Sequence, residues 1–505
     1  MSSIFYKHCI RKEQIEKKVV NCEYIEKWEC EFEEDKKNDE ELKYFLKNIC
    51  NVKDALCPRD CLYGGRTNAL KLYKKCYTDE TIDYRDFTSL YPAVQKYDKF
   101  PVGHPKIITD NFDDIMNYFG LIKCKILPPR KLYIPILPLR INGKLIFTLC
   151  EKCAQLYQQI CNHTDEDRAL TGSWVTLEVH AALKEGYRIL KIYEVWHYPE
   201  SDQYNRFSKS GGLFTDYVNM FLKYKQEASG YPDHIQSESD KDNYINEYYE
   251  KEGIYLDKNN IKFNSGLRSV MKLILNSFWG KFGMKTDKML VKFINNLKDW
   301  YDLISNDEYV VHDVDFSIEN TLVVYYKRNI ETSFTSNNVS VVLASFVTCH
   351  ARLRLYNELK KLGDRVIYFD TDSIIYSSRK GDIQPIQGDF LGELTNEIDK
   401  SEGNYIQEFI SAGPKNYAYK LDSGFTKCTI KGFSLNYITS LTLNFDTIRE
   451  IIIKDRSKKL KVKQLKFKRD KSNWDISTSE IEKLYSFVYD KRVILDNYDT
   501  RPYGY

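Results

Sequence analysis

Apolar residues recur at helical spacing in four stretches of this chain: ELKYFLKNIC (41–50), DYVNMFLKYKQEAS (216–229), NSGLRSVMKLILNSFWGKFG (264–283) and NVSVVLASFVTCHARLRLYNELKKL (338–362). Elsewhere the pattern is strand-like, in TIDYRDF (81–87), KLYIPILPL (131–139), RILKIYEVWHY (188–198), VIYFDTDSIIY (366–376) and KLKVKQLKFK (459–468). Residues 287–332 alternate like a hairpin, a Tyr- and acid-rich connection joins the second and third helices, and residues 23–41 are acidic without a clear hydrophobic repeat. The elements predict an α+β protein without internal repeats.

Its 505 residues, 42% hydrophobic, are enough for two to four domains. Lys and Arg number 75 against 72 Asp and Glu, so attraction to an anion must come from local patches. One such patch is the run Lys454–Lys471, with ten basic residues and two Asp. The first residues, MSSIFYKHCIRKEQ, lack the apolar core of a signal peptide, and no run approaches a membrane span of about 18 apolar residues. With 13 Cys, the expectation is a soluble intracellular chain with reduced thiols and no membrane partner.

The run VIYFDTDSIIY sets Asp370 and Asp372 in an otherwise buried strand, where a carboxylate is costly unless paired. Two residues apart on a strand, both face one side, although a turn at Thr371 would change that detail. Asp-Thr-Asp as a plain turn cap is the alternative. Asp86, ending the strand-like run of DFTSLYP (86–92), is a candidate third ligand. Three carboxylates suit Mg²⁺, and two such ions about 4 Å apart would stabilise the attacking and leaving oxygens of a phosphoryl transfer. Arg268, Lys272, Asn276 and Gly280 recur every four residues, lining one helical face as a rail for a triphosphate or as a solvated cationic face.

DFTSLYP, KLILNSFWG and YFDTDS resemble, in order and approximate spacing, motifs A, B and C of family B DNA polymerases. GPKNY (413–417) resembles the Lys-x-Tyr motif; LYGGRT (62–67) and TCHAR (348–352) are similar to the YxGG and Tx2GR elements of the protein-primed branch. TLCEKCAQ, ALTGSWVTLE and DNYDTRPYGY resemble the polymerases of Maverick/Polinton-type transposons, related viruses and linear plasmids. The resemblance covers about residues 57–437. It implies a right-hand polymerase with template-primer DNA, dNTPs and two Mg²⁺ as partners, and a priming terminal protein as a candidate partner. Asp86 and Asp372 would hold the metals with Asp370 beside them. Tyr91, with Ser89 and Leu90, would lie under the incoming sugar; Lys272 would bind the triphosphate with Arg268, and Asn276, Ser277 and Gly280 would line the nascent pair. Lys415 and Tyr417 would hold the primer end, and Gly64, Gly65, Thr348 and Arg352 would contact template.

The implied organisation is an upstream-module tail at 1–56, too short for the family's exonuclease; palm at 57–110 and 333–436; an insertion at 111–210 where relatives hold the priming protein; fingers at 211–286; a strand-displacement element at 287–332; and a basic thumb at 437–505. Three positions depart from the family pattern: Trp279 for Tyr, Leu62 for the YxGG tyrosine, and Ala351 for the Gly of Tx2GR. The alternatives are a truncated, non-catalytic DNA-binding remnant, or a reverse transcriptase or RNA polymerase, against which Tyr91 and the Lys-x3-Asn-Ser helix argue. The basic run reads as thumb, with a nuclear-import signal or a solvated strand as alternatives.

Cys150, Cys153, Cys161 and His163 form C-x2-C-x7-C-x-H, a spacing that fits structural Zn²⁺ pinning the insertion, while Cys57 and Cys61 read as core or turn.

Overall fold

The structure, a computed structural model, describes Lys12 and residues 26–43, 55–285, 288–329, 339–470 and 475–505. Residues 44–50 of the first expected helix, 286 of the expected fingers, 287 and 330–332 of the expected hairpin, and 338 of the last expected helix lie outside the described residues. The chain divides into two units, Met1–Ala55 and Leu56–Tyr505. In the first, the acidic stretch is itself helical over Glu29–Asn38, and the Glu31 carboxylate accepts the Trp28 N–H at 3.1 Å.

A nine-stranded antiparallel sheet organises the second unit. Its order is Thr67–Ala69, Val366–Asp370, Ser373–Arg379, Glu80–Phe87, Ile406–Ser411, Asn416–Leu421 and Thr426–Ile430, with Leu394–Asn396 and Tyr73–Lys75 pairing at the side. Segments from both ends of the unit therefore interleave. Apolar layers cover both faces, which is why VIYFD reads as a continuous apolar run: Val366 and Phe369 enter one core, Ile367 and Tyr368 the other. Each such fully buried side chain contributes on the order of 1.5–3 kcal/mol.

The helix Val341–Leu362 spans one face. Ser340 caps it by accepting the Leu343 N–H, and Gly363, at φ +62°, ends it and turns the chain into the central strand. The opposite face carries Phe445–Ile453 and the hairpin Lys459–Arg469 with Ile476–Ser486.

Several expectations need correction. The acid-rich connection between Thr215–Glu227 and Ser265–Phe282 contains a helix, Glu238–Glu252, opened by a reciprocal Ser237–Asp240 cap. Residues 288–329 form a three-stranded sheet with a helix at Leu297–Ile304, not a simple hairpin. KLYIPILPL is a strand only from Pro138, because its prolines remove ladder donors, although Ile134, Ile136 and Leu137 are buried. Residues beyond 492 leave the terminal hairpin and run along the sheet edge, where Thr500 Oγ1 donates to the Ala69 carbonyl at 3.0 Å.

Thr348 and Arg352, expected to contact template, are interior. Arg352 makes a bidentate pair with Glu178 at 2.7 and 2.9 Å and donates to the Tyr63 and Gly64 carbonyls at 2.7 and 3.0 Å. It holds the Gly-Gly loop from behind. Breaking a buried pair strands the remaining charge, so Glu178→Gln should cost about 3–5 kcal/mol in urea denaturation, and Glu178→Leu combined with Arg352→Met should recover much of that.

Candidate active site

Asp86 is the penultimate residue of Glu80–Phe87, and Asp370 ends Val366–Asp370. A two-residue turn, Thr371-Asp372, links that strand to Ser373–Arg379, with Asp370 opposite Ser373 and Ser373 opposite Asp86. Thr371 sits at φ +58°, and the Asp372 carbonyl accepts the Phe87 N–H at 2.7 Å. The three carboxylates thus converge at one end of adjacent strands. Asp-Thr-Asp is thus a turn that also brings its carboxylates beside Asp86.

The three are not equivalent. Asp370 accepts from Thr67 Oγ1 at 2.7 Å, Thr371 Oγ1 at 3.0 Å and Tyr368 at 3.4 Å, and pairs with Lys415 Nζ at 3.1 Å. Among the described residues, Asp86 and Asp372 have no such set. Burial first, then Asp372 and Glu397, push the Asp86 carboxyl up to about 8; burial first, then Asp370, pushes Asp372 up to about 6. Glu397 follows the side strand that pairs Thr395 with Asp86 and donates its N–H to the Tyr84 carbonyl. No sequence motif singled it out.

The Gly-Gly loop builds the floor beneath the turn. The Arg66 carbonyl accepts the Thr371 N–H at 2.7 Å, and a Cβ at Gly65 would fall 2.7 Å from Thr371 Oγ1. Gly64 is exposed. Arg66 itself is buried, donating to the carbonyls of Pro135 and Ile136, with its guanidinium 3.9 Å from the Phe147 ring centroid. Tyr417 lies on Asn416–Leu421, two strands from Glu80–Phe87 in the sheet, its hydroxyl 3.2 Å from that of Tyr84, and the Lys415 N–H donates to Tyr368.

A second group of like charges faces the carboxylates. Asn264 caps the helix Ser265–Phe282, on which Arg268, Lys272, Ser277 and Gly280 are exposed and Asn276 is half-buried. A Cβ at Gly280 would meet open space. Lys272 acts on Asp86 strongly enough to oppose its upward shift. Behind it lies Lys225, which the sequence pattern did not single out although its helix was expected. It is buried, its Nζ is 3.4 Å from Ser89 Oγ, and burial first, then Arg268 and Lys272, pushes it down to about 8. Ser89, at φ +53°, precedes the helix Leu90–Tyr97, where Leu90 is fully buried. Tyr91 stacks on Trp279 with centroids 4.8 Å apart, joining this helix to the cationic one.

Elsewhere, ligand atoms of Cys150, Cys153, Cys161 and His163 come within 4.8 Å of one another, as their spacing implied. Cys61 is buried and Cys57 exposed, beside a short turn of helix.

Residues 31–241 match the family model described as DNA polymerase type B, organellar and viral. A probable DNA polymerase of Neurospora intermedia is 24% identical over 447 residues, which are 85% of this chain and 37% of that protein. The phi29 DNA polymerase complexed with primer-template DNA and incoming nucleotide superposes with a TM-score of 0.51 at 14% identity, over 88% of this chain and 66% of that one. Its post-translocation binary complex gives 0.51 over 85% and 62%. The fold is that of a phi29-type DNA polymerase. The polymerase-like chain therefore spans just over a third of the curated relative and just under two thirds of the phi29 enzyme. Among the described residues, no helix is long and apolar enough to cross a membrane.

The polymerase fold keeps its acidic centre at a cost. Asp86 holds its proton more tightly folded than unfolded, so without metal the folded state loses stability as pH rises from about 4 towards 8. Asp86→Asn should therefore melt higher than wild type in chelator, on the order of 1–3 °C at pH 8–9, with the gap closing by pH 4–5. Thermal melts across that range, with and without Mg²⁺, measure it.

Proposed function

We propose that this chain is a DNA-directed DNA polymerase, adding dNTPs to a primer 3′-hydroxyl, and that it serves a viral genome or mobile element copied with protein priming. One observation carries the reading: Asp372 pushes on Asp86 at the strand ends, Arg268 and Lys272 push on Lys225, and Lys272 is close enough to act on Asp86. A complex of divalent cation and polyphosphate relieves both at once.

The donor set fits Mg²⁺, since Asp86 and Asp372 offer hard, half-buried carboxylate oxygens at one end of adjacent strands. Asp86 and Asp372 would hold the ions, which when bound neutralise charge on the attacking and leaving oxygens. Every remaining task falls to the chain. Lys272 and Arg268 on the exposed helix face, with Lys225 beneath, draw in and neutralise the triphosphate tail. Lys415 holds Asp370 in place, leaving Asp86 and Asp372 as the unsatisfied pair. Gly280 leaves room for the nascent base pair, with Asn276 and Ser277 on the same helix.

Tyr91 would close the floor of the sugar site and disfavour a 2′-hydroxyl, and Lys415 and Tyr417 would sit beside the primer end. Gly64 and Gly65, positioned by Arg352, would border the template path. The terminal hairpin would grip duplex phosphates through Lys466 and Lys468, since Lys461 and Lys463 pair with Glu482 and Glu480 at 3.1 and 2.8 Å. The three-stranded sheet over 288–329 is the candidate strand-displacement element.

Primer extension on a DNA template with dNTPs and Mg²⁺ tests the reading. Wild type should extend, and Asp372→Asn should fall by at least about 10³-fold while retaining DNA binding. Extension that Asp372→Asn leaves intact would refute the assigned site; binding without extension by wild type would favour a non-catalytic DNA-binding protein. Tyr91→Ala should separately raise the use of ribonucleotides relative to dNTPs, on the order of 10-fold or more in kcat/KM ratios.

A further inference from the structure

The cluster Cys150, Cys153, Cys161 and His163 has no task in the polymerase reaction, yet three sulfurs converge on one ring nitrogen. Distances from His163 Nδ1 are 3.4 Å to Cys150 Sγ, 3.2 Å to Cys153 Sγ and 3.9 Å to Cys161 Sγ. One nitrogen lone pair accepts one thiol proton, so hydrogen bonding explains only one of the three contacts. A tetrahedral ion with metal–sulfur bonds of about 2.3 Å and a metal–nitrogen bond of about 2.0 Å sets sulfur and nitrogen about 3.5 Å apart. The observed separations bracket that value. Cys150 also caps the short helix Glu151–Leu156, its sulfur accepting the Cys153 N–H at 3.3 Å, which orients the first two ligands before any metal arrives.

A second observation gives the cluster a purpose. Residues 499–505 run across it. The Leu149 N–H donates to the Tyr503 carbonyl at 2.8 Å, and Thr148 Oγ1 donates to the same carbonyl at 3.0 Å. Gly504, at φ +84°, lies so close that a Cβ there would fall 2.4 Å from Cys150 Cβ and 2.7 Å from its nitrogen. The same segment continues to the catalytic sheet: Thr500 donates its N–H and hydroxyl to Leu70 and Ala69, beside Thr67, which donates to Asp370.

We propose that these four residues bind one Zn²⁺ ion that clamps segment 499–505 against the Cys150 turn, and that this segment in turn braces the sheet edge beside Asp370. Three thiolates and an imidazole, two of the ligands buried, select a borderline-soft ion over Mg²⁺. The ion is structural, with four protein ligands and no position left for a substrate.

The test uses the full chain and is independent of polymerase activity. Elemental analysis should give one zinc per chain, and Co²⁺ loading should produce the visible absorption of a tetrahedral thiolate site. Stripping the wild-type protein with chelator should raise amide exchange across residues 499–505 by at least about tenfold while leaving helix Ser265–Phe282 unchanged, and Zn²⁺ should restore protection. Cys153→Ser should abolish stoichiometric metal; if it fails to fold, the chelated wild type still decides. Less than half an equivalent of zinc, or metal removal that leaves exchange at 499–505 unaltered, overturns the clamp.

Discussion

Like charges held close together are the constraint on which the site depends. Asp86 and Asp372 sit half-buried beside each other at a strand end and the adjoining turn, and Lys225 feels both Arg268 and Lys272 nearby. Neither group is comfortable alone. The apolar layers packed on both faces of the sheet fix the strands and turn that carry the carboxylates. The Asp370 carboxylate, saturated by Thr67, Thr371, Tyr368 and Lys415, anchors the turn.

That division of labour also explains what could be read in advance. A carboxylate in an apolar run is conspicuous because its desolvation demands a reason, so Asp370 and Asp372 stood out from pattern alone, whereas Asp86, in the mixed run TIDYRDF, was only a candidate third ligand until the resemblance added weight to it. The cationic face of Ser265–Phe282 was legible because helical geometry repeats every four residues or so. The strands flanking the carboxylates and the long helix Val341–Leu362 followed from periodicity for the same reason.

What escaped notice depends on contacts between distant segments. Glu397 stands on an unremarkable loop and matters because a three-residue strand pairs beside Asp86. Lys225 looks like any lysine near the end of an amphipathic helix until burial and its neighbours are known. Arg352 misled in the opposite direction: its motif suggested an exposed contact, whereas Glu178, 174 positions away, draws the guanidinium inside. The acidic connection hid a helix because its charged side chains mask a weak apolar stripe, and only Ile245, Tyr248 and Glu252 turn inward.

The brace at the sheet edge has a consequence for the order in which the molecule is made. Thr500 bonds the carbonyls of Ala69 and Leu70 from 431 and 430 residues downstream, and Tyr489 bonds Asn68 across 421. Translation proceeds at about 5–20 residues per second, so the first strand waits roughly 20–90 s for the segment that completes its border. Until then its edge and the apolar layers beneath are open to wrong partners. Assembly of the nine-stranded sheet is therefore a late event, closed by the segment that emerges from the ribosome long after the residues it protects.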